Sequence, residues 1–176
     1  MARGECVLLG HHACDGDCRL WNAGESGRPG ESVKVVDAAQ VRERVEEALA
    51  GHRQEFETFF LARLLELSFE YEGDLCRIRF PASEFLFNPQ GSLHGGIIAT
   101  VMDISMGHLI KWRTGKAGTT LETKLQYLRP ISSGVVVCEG RFLRQGRGIS
   151  FMESKLWDES GNLSAFASST WRVSQG

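Results

Sequence analysis

Between residues 37 and 65 the apolar positions recur at three- and four-residue steps, the spacing that gathers side chains on one face of a helix. Asp37, with Gln40 three residues later, has the form of an N-terminal cap, and Val41, Val45 and Leu49 carry the pattern to a stop at Gly51. A second helix is expected in HRQEFETFFLARLLEL, where Phe56, Phe59, Phe60 and Leu64 share a face. From Glu66 the period falls to two. LSFEYEGDLCRIRFP predicts two short strands joined at Gly73-Asp74, with Leu75, Arg77 and Arg79 alternating against Cys76, Ile78 and Phe80.

After the loop PASEFLFNPQGS comes HGGIIATVMDISMGHLIKW, too long for a typical strand and apolar on most sides, which predicts a buried central helix over 95 to 112. Four strand-like runs follow: TTLETKLQYLRP, GVVVCEGRFLRQG, GISFMESKLWDE and NLSAFASSTWRV, separated by Ser132-Ser133-Gly134, Arg147-Gly148 and Ser160-Gly161-Asn162. They read as an antiparallel meander. One helix lying across an antiparallel sheet of six strands is an α+β architecture with a single helix-on-sheet core. Residues 1–33, glycine-rich and without apolar period, are expected to form a disordered tail, 34–54 an added N-terminal helical segment, and 55–176 the catalytic domain.

Composition narrows the function. With 176 residues and 42% apolar content, the chain suffices for one core, and a formal charge of −2 excludes a broad cationic face for nucleic acid or anionic lipid. No apolar run approaches the ~20 residues that cross a bilayer, and the start is too short for an export signal, so no membrane partner and a cytoplasmic location are expected. The five cysteines are odd in number and scattered, which fits reduced thiols. His11, His12, Cys14 and Cys18 are soft donors without metal-site spacing, so no metal is expected.

The chemistry concentrates at the start of the central helix. His94 is followed by Gly95 and Gly96 where a hydroxyl or carboxylate cap and good helix formers would ordinarily stand. Helix-start amides have no internal partner, so these glycines can aim N–H groups and the positive dipole end at an oxygen, the outline of an oxyanion hole. They serve equally for tight packing of helix on sheet. Asp103 stands among Ile97, Ile98, Val101, Met102, Ile104 and Met106, where a carboxylate is costly unless paired or used; capping a neighbouring loop is the other reading. Gly96 and Asp103 lie on nearly the same face but about 10 Å apart along the axis. If Gly95 polarises a carbonyl and Asp103 activates the attacker, the acid most simply comes from a second copy of the helix running antiparallel across a two-fold axis, which places the site at a dimer interface.

The run FNPQGSLHGGIIATVMD resembles the Asn-x-x-Gly-x-x-His-Gly-Gly signature, followed by Asp, of the PaaI-type (phenylacetic acid degradation) hotdog-fold acyl-CoA thioesterases, and the similarity extends over residues 55–173. The resemblance implies the hotdog fold, hydrolysis of acyl- or aryl-coenzyme A to the free acid and coenzyme A, and no cofactor beyond the coenzyme A of the substrate. It also implies a homodimer with a shared active site, paired into a dimer of dimers. Carried over residue by residue, the Gly95 amide and the Asn88 side chain would polarise the thioester carbonyl, His94 would brace the turn, Asp103 would act as base or nucleophile, and Thr120 would help hold the attacking water. Gly96 would lie against the substrate, and Arg144 and Arg147, with Lys124 or Arg129 as substitutes, would meet the coenzyme A phosphates. Within the fold the rival activity is a hydratase or dehydratase working through a catalytic His; outside it, a non-catalytic acyl-CoA-binding module. The acyl group depends on how two subunits pack around Phe85, Leu86 and Met106.

Overall fold

A computed structural model describes residues 36–174. The expected tail and the donors His11, His12, Cys14 and Cys18 lie outside the described residues. Asp37 caps the first helix as its spacing suggests, Oδ1 accepting the N–H groups of Ala39 and Gln40 at 2.9 and 3.4 Å, and α1 runs over Ala38–Gly51. The second helix is a correction: α2 spans only Phe60–Leu64. The residues before it form turns, because Phe56 and Phe59 swing onto the imidazole of His108, with ring centroids 5.0 and 6.1 Å away, and this packing outweighs helix propensity.

The hairpin forms where alternation placed it. Strands β1 (Ser68–Glu72) and β2 (Leu75–Pro81) pair antiparallel with Glu72 opposite Leu75, leaving Gly73-Asp74 as a two-residue loop in which Gly73 takes φ 53°. The central helix α3 covers Gly95–Thr114, two residues beyond the expected end, and stops at Gly115 in the left-handed region. Strands β3 (Gly118–Tyr127), β4 (Val135–Arg144), β5 (Ile149–Trp157) and β6 (Leu163–Val173) complete a six-stranded antiparallel sheet.

Its order, β1-β2-β4-β5-β6-β3, corrects the expected meander of the last four strands: of these only β4, β5 and β6 follow one another, and β3 lies at the far edge against β6. Between β2 and β3 the chain passes through α3, which packs on β2, β3, β4 and β5, so β3 is not bound to pair with the strand before it. Residues 128–134 then return it beside β2, where the Ala82 N–H donates to Gly134 O over 2.9 Å.

Inside the sheet's curve, Ile98, Val101, Met102, Met106, Leu109 and Ile110 of α3 are buried against Ile78, Phe80, Val136, Met152, Leu156 and Trp171. Small residues let the helix sit close. A Cβ on Gly140 would stand 2.8 Å from the Ser105 carbonyl carbon and oxygen, and Ser105 Oγ, buried, lies 3.0 Å from Ser154 Oγ. The outer face carries ion pairs instead, Arg77 with Glu139 at 2.7 Å and Arg141 with Glu139 at 3.1 Å among them. A sheet of this topology wrapped on one long helix, preceded by an N-terminal helix, is the α+β hotdog fold.

Candidate functional site

The loop that feeds α3 is fixed by backbone bonds from both sides. Leu93 N–H donates to Ile131 O at 2.7 Å and His94 N–H to Leu86 O at 2.9 Å. Asn88 organises the turn before them: its Oδ1 accepts from the Gln90 and Ser92 amides at 2.9 and 3.4 Å, and its Nδ2 donates to Ser92 Oγ at 3.1 Å. A primary amide has two N–H groups, so Nδ2 keeps one beyond the bond to Ser92.

His94 is the N-cap. Its Nδ1 accepts the Gly96 N–H at 2.9 Å, which assigns the ring proton to Nε2, and its carbonyl accepts the Ile97 and Ile98 amides at 2.9 and 3.2 Å. The two glycines therefore differ. Gly96 has given its N–H to the cap, whereas the Gly95 N–H has no acceptor among the described residues, and the expectation of two outward amides narrows to one.

Tyr127, the last residue of β3, meets the same spot from the sheet, its hydroxyl donating to Gly95 O at 2.9 Å. A Cβ on Gly95 would stand 3.1 Å from the Tyr127 ring carbon Cζ, so a side chain there would push the ring outward by a few tenths of an ångström. The sequence reading passed over Tyr127. Its signal was the two-residue step Thr123, Leu125, Tyr127, which faces the helix, since these residues pair with the buried Ser169, Ala167 and Ala165.

Asp103 lies eight residues along α3 from Gly95, about 12 Å at 1.5 Å per residue. It is half-buried, and Thr120 Oγ1 donates to its Oδ1 at 2.8 Å. Burial lifts the carboxyl above its usual range, and the Thr120 bond offsets part of the rise. No cation is paired with it among the described residues. Within one chain the residues thus fall into two groups: Asn88, His94, Gly95, Gly96 and Tyr127 at the helix start, and Asp103 with Thr120 in its middle.

Arg144 and Arg147 are exposed and have no ion-pair partner among the described residues. Arg144 ends β4, near where Arg141 pairs with Leu75 beside the β1–β2 turn, and Arg113 near the end of α3 reaches the same turn through Asp74 at 2.8 Å. Both arginines therefore sit at the end of the sheet remote from their own chain's Gly95. The clefts at α1 and at the β5–β6 end, about 620 and 530 Å³, are lined by neither Gly95 nor Asp103.

Known proteins bear on this arrangement in two ways. The family model described as Thioesterase superfamily matches residues 90–165. A "Putative esterase" of Saccharolobus solfataricus is 30% identical over 103 residues, covering 58% of this chain and 69% of that one. Among solved structures, a Bacillus halodurans protein crystallised with CoA superposes with TM-score 0.71 at 21% identity, over 82% of this chain and 99% of that one. The PaaI protein of the Escherichia coli phenylacetic acid degradation operon gives 0.65 at 15%, over 76% and 97%. With the fold and the Asn88-to-Asp103 signature in place, these likenesses make the chain a member of the thioesterase superfamily, of PaaI type, whose hotdog enzymes are hydrolases acting on thioesters.

Proposed function

We propose that the protein hydrolyses acyl- or aryl-coenzyme A thioesters to the free acid and coenzyme A, in a site built by two copies of the chain. The observation that carries this reading is the separation of an unaccepted Gly95 N–H from the Thr120-bonded carboxylate of Asp103 by about 12 Å of helix. A reacting carbon needs its oxyanion donor and its base within about 3–3.5 Å of the reacting atoms, and two antiparallel copies of α3 bring one group from each chain to that range.

In the reaction so proposed, the thioester oxygen accepts the Gly95 N–H and the remaining N–H of the Asn88 amide. Asp103 of the partner subunit, with Thr120 occupying Oδ1, takes a proton from water through Oδ2. The hydroxide adds to the carbonyl carbon, the helix start stabilises the oxyanion, and collapse expels the coenzyme A thiolate, which recovers a proton. Burial of Asp103 suits this role, because a raised carboxyl is a stronger base. Water is the nucleophile and a carboxylate the base, so the step as proposed uses no metal or redox cofactor.

The CoA held by the Bacillus halodurans relative supports the substrate class. Two-fold pairing carries Arg144 and Arg147 toward the partner's helix start, where they would meet the phosphates. His94 favours hydrolysis over hydration, since its Nδ1 is spent on the Gly96 amide. The test is thiol release from a series of acyl- and aryl-coenzyme A esters, run beside Asp103→Asn. Turnover that the variant loses supports the reading; binding without thiol release would make the protein an acyl-CoA-binding module instead.

A further inference from the structure

We propose that Tyr127 is a positioning residue for this site, holding the Gly95–Gly96 peptide unit so that the adjoining Gly95 N–H stays aimed at the thioester oxygen. The inference rests on the hydrolytic reading above and adds a residue to it. The peptide unit between the two glycines is gripped at both ends: its carbonyl accepts the Tyr127 hydroxyl at 2.9 Å, and its N–H is donated to His94 Nδ1 at 2.9 Å.

Such a grip answers a local weakness. Two consecutive glycines have the widest backbone freedom of any pair, and the first helical amides lack the i−4 acceptors that steady the rest. A donor meant for an oxyanion must nevertheless be aimed before the reaction, since reorientation at the transition state forfeits the benefit. His94 holds the N–H end of this peptide plane, and the helix holds its carbonyl end through the Ala99 amide. The Tyr127 hydroxyl adds a second donor to that carbonyl from outside the helix, and the ring against Gly95, 3.1–3.2 Å from where a Cβ would lie, closes the side toward β3.

The hydroxyl, rather than burial of the ring, determines this placement. Tyr127 is 55% exposed, so it adds little to the core, yet the backbone behind it is firmly held. Tyr127 pairs with Ala165 in β6, and the next two amides, of Leu128 and Arg129, both donate to Ser164 O at 2.8 and 3.2 Å. A residue that contributes to function through one hydroxyl and little to stability can be separated from the fold by removing one atom.

The experiment is steady-state hydrolysis of the best acyl-coenzyme A substrate by wild type, Tyr127→Phe, His94→Ala and the double variant, with melting temperatures alongside. Tyr127→Phe should lose roughly tenfold in kcat, a part of the 10²–10³ that follows complete loss of an oxyanion donor, with KM changed less than about twofold and the melting temperature unmoved. Because both groups act on one peptide unit, the losses in kcat for Tyr127→Phe and His94→Ala should combine to less than their product. Unchanged kcat in Tyr127→Phe overturns the proposal, as does a rise in KM alone, which would make Tyr127 a substrate contact, or a fall in kcat matched by a lower melting temperature. Failure of the underlying reading looks different: wild type itself would release no thiol from any ester, and the proposal would fall with it.

Discussion

Thr120 gives its hydroxyl hydrogen to Oδ1 of Asp103 over 2.8 Å, tying the start of β3 to the middle of α3 and leaving Oδ2 of the carboxylate without a partner among the described residues. Burial raises this carboxyl and the Thr120 bond lowers it, so the folded protein holds its proton more tightly than an unfolded chain does. The stability Asp103 offers is therefore greatest in its protonated form and is lost as pH rises through the folded-state value. The ionised carboxylate is thus the form the fold favours less.

Asp103→Asn should consequently separate activity from stability. Loss of the base should slow hydrolysis at least ~100-fold, while the neutral amide can still accept from Thr120 and escapes the cost of a buried charge. Kinetics and melting temperature at pH 7 decide the matter. A variant that melts well below wild type would show that the carboxylate is structurally paired.

Thr120→Ala removes the one bond that lowers the Asp103 carboxyl, so the acid limb of the pH–rate profile should move to higher pH, with turnover at neutral pH down about tenfold. Thr120→Ser keeps the hydroxyl and should keep both limb and rate. Coincident profiles for Ala and wild type would detach Thr120 from the reaction.

Two inactive chains should repair one another. When Gly95→Val and Asp103→Ala subunits are co-expressed, each heterodimer has one site with both lesions and one with neither. Random pairing makes about half the dimers mixed and returns about a quarter of all sites. Verified heterodimers without activity would place base and oxyanion donor in the same chain.

His108 is a structural titration. Buried against Phe56, Phe59 and Phe69, with Tyr71 Oη 3.0 Å from Nδ1, its imidazole is pushed by desolvation from the ordinary 6.5 down to about 4, offset in part by a backbone bond to Phe56. The charged groups around it are Glu57, bonded to Tyr71 Oη, and Lys111 over the Phe56 ring. A depressed folded value means stability present above 6.5 and lost as pH falls toward about 4. Denaturant unfolding of wild type and His108→Asn across that window should show the steeper decline in wild type, and parallel curves would contradict the assignment.

Gly140→Ala tests how closely the helix sits on the sheet. Its new Cβ would lie 2.8 Å from the Ser105 carbonyl, on backbone that cannot step aside, and overpacking of this kind costs about 1–3 kcal/mol in chemical denaturation. A neutral result would mean that α3 can lift.

Local chemistry was legible wherever the cause lay within a few residues. Asp37 announced the start of α1, Gly73-Asp74 the hairpin, and the polar gap at His94 the start of α3. What needed the fold was non-local. No period in the β3 segment says that its partner is β6 rather than β4, because that pairing joins segments far apart in the sequence. Phe56 and Phe59 were read as one helical stripe until His108 gave them another surface. At the site, sequence marked Gly95 and Gly96 alike; only the direction of His94 Nδ1 distinguishes them, and only strand pairing brings Tyr127 to Gly95.

The position of β3 has a temporal side. Of the described strands it is joined only to β6, the last in chain order, so a growing chain emerging from the ribosome carries β3 with both edges open through the synthesis of three further strands. Pairing across so long a stretch of chain is slow and follows the local hairpins. Thr120 faces Trp171 of that last strand. The acid half of the proposed site is thus the part of the molecule that a nascent chain acquires last, and a chain arrested short of β6 would carry Asp103 with nothing yet to hold Thr120 against it.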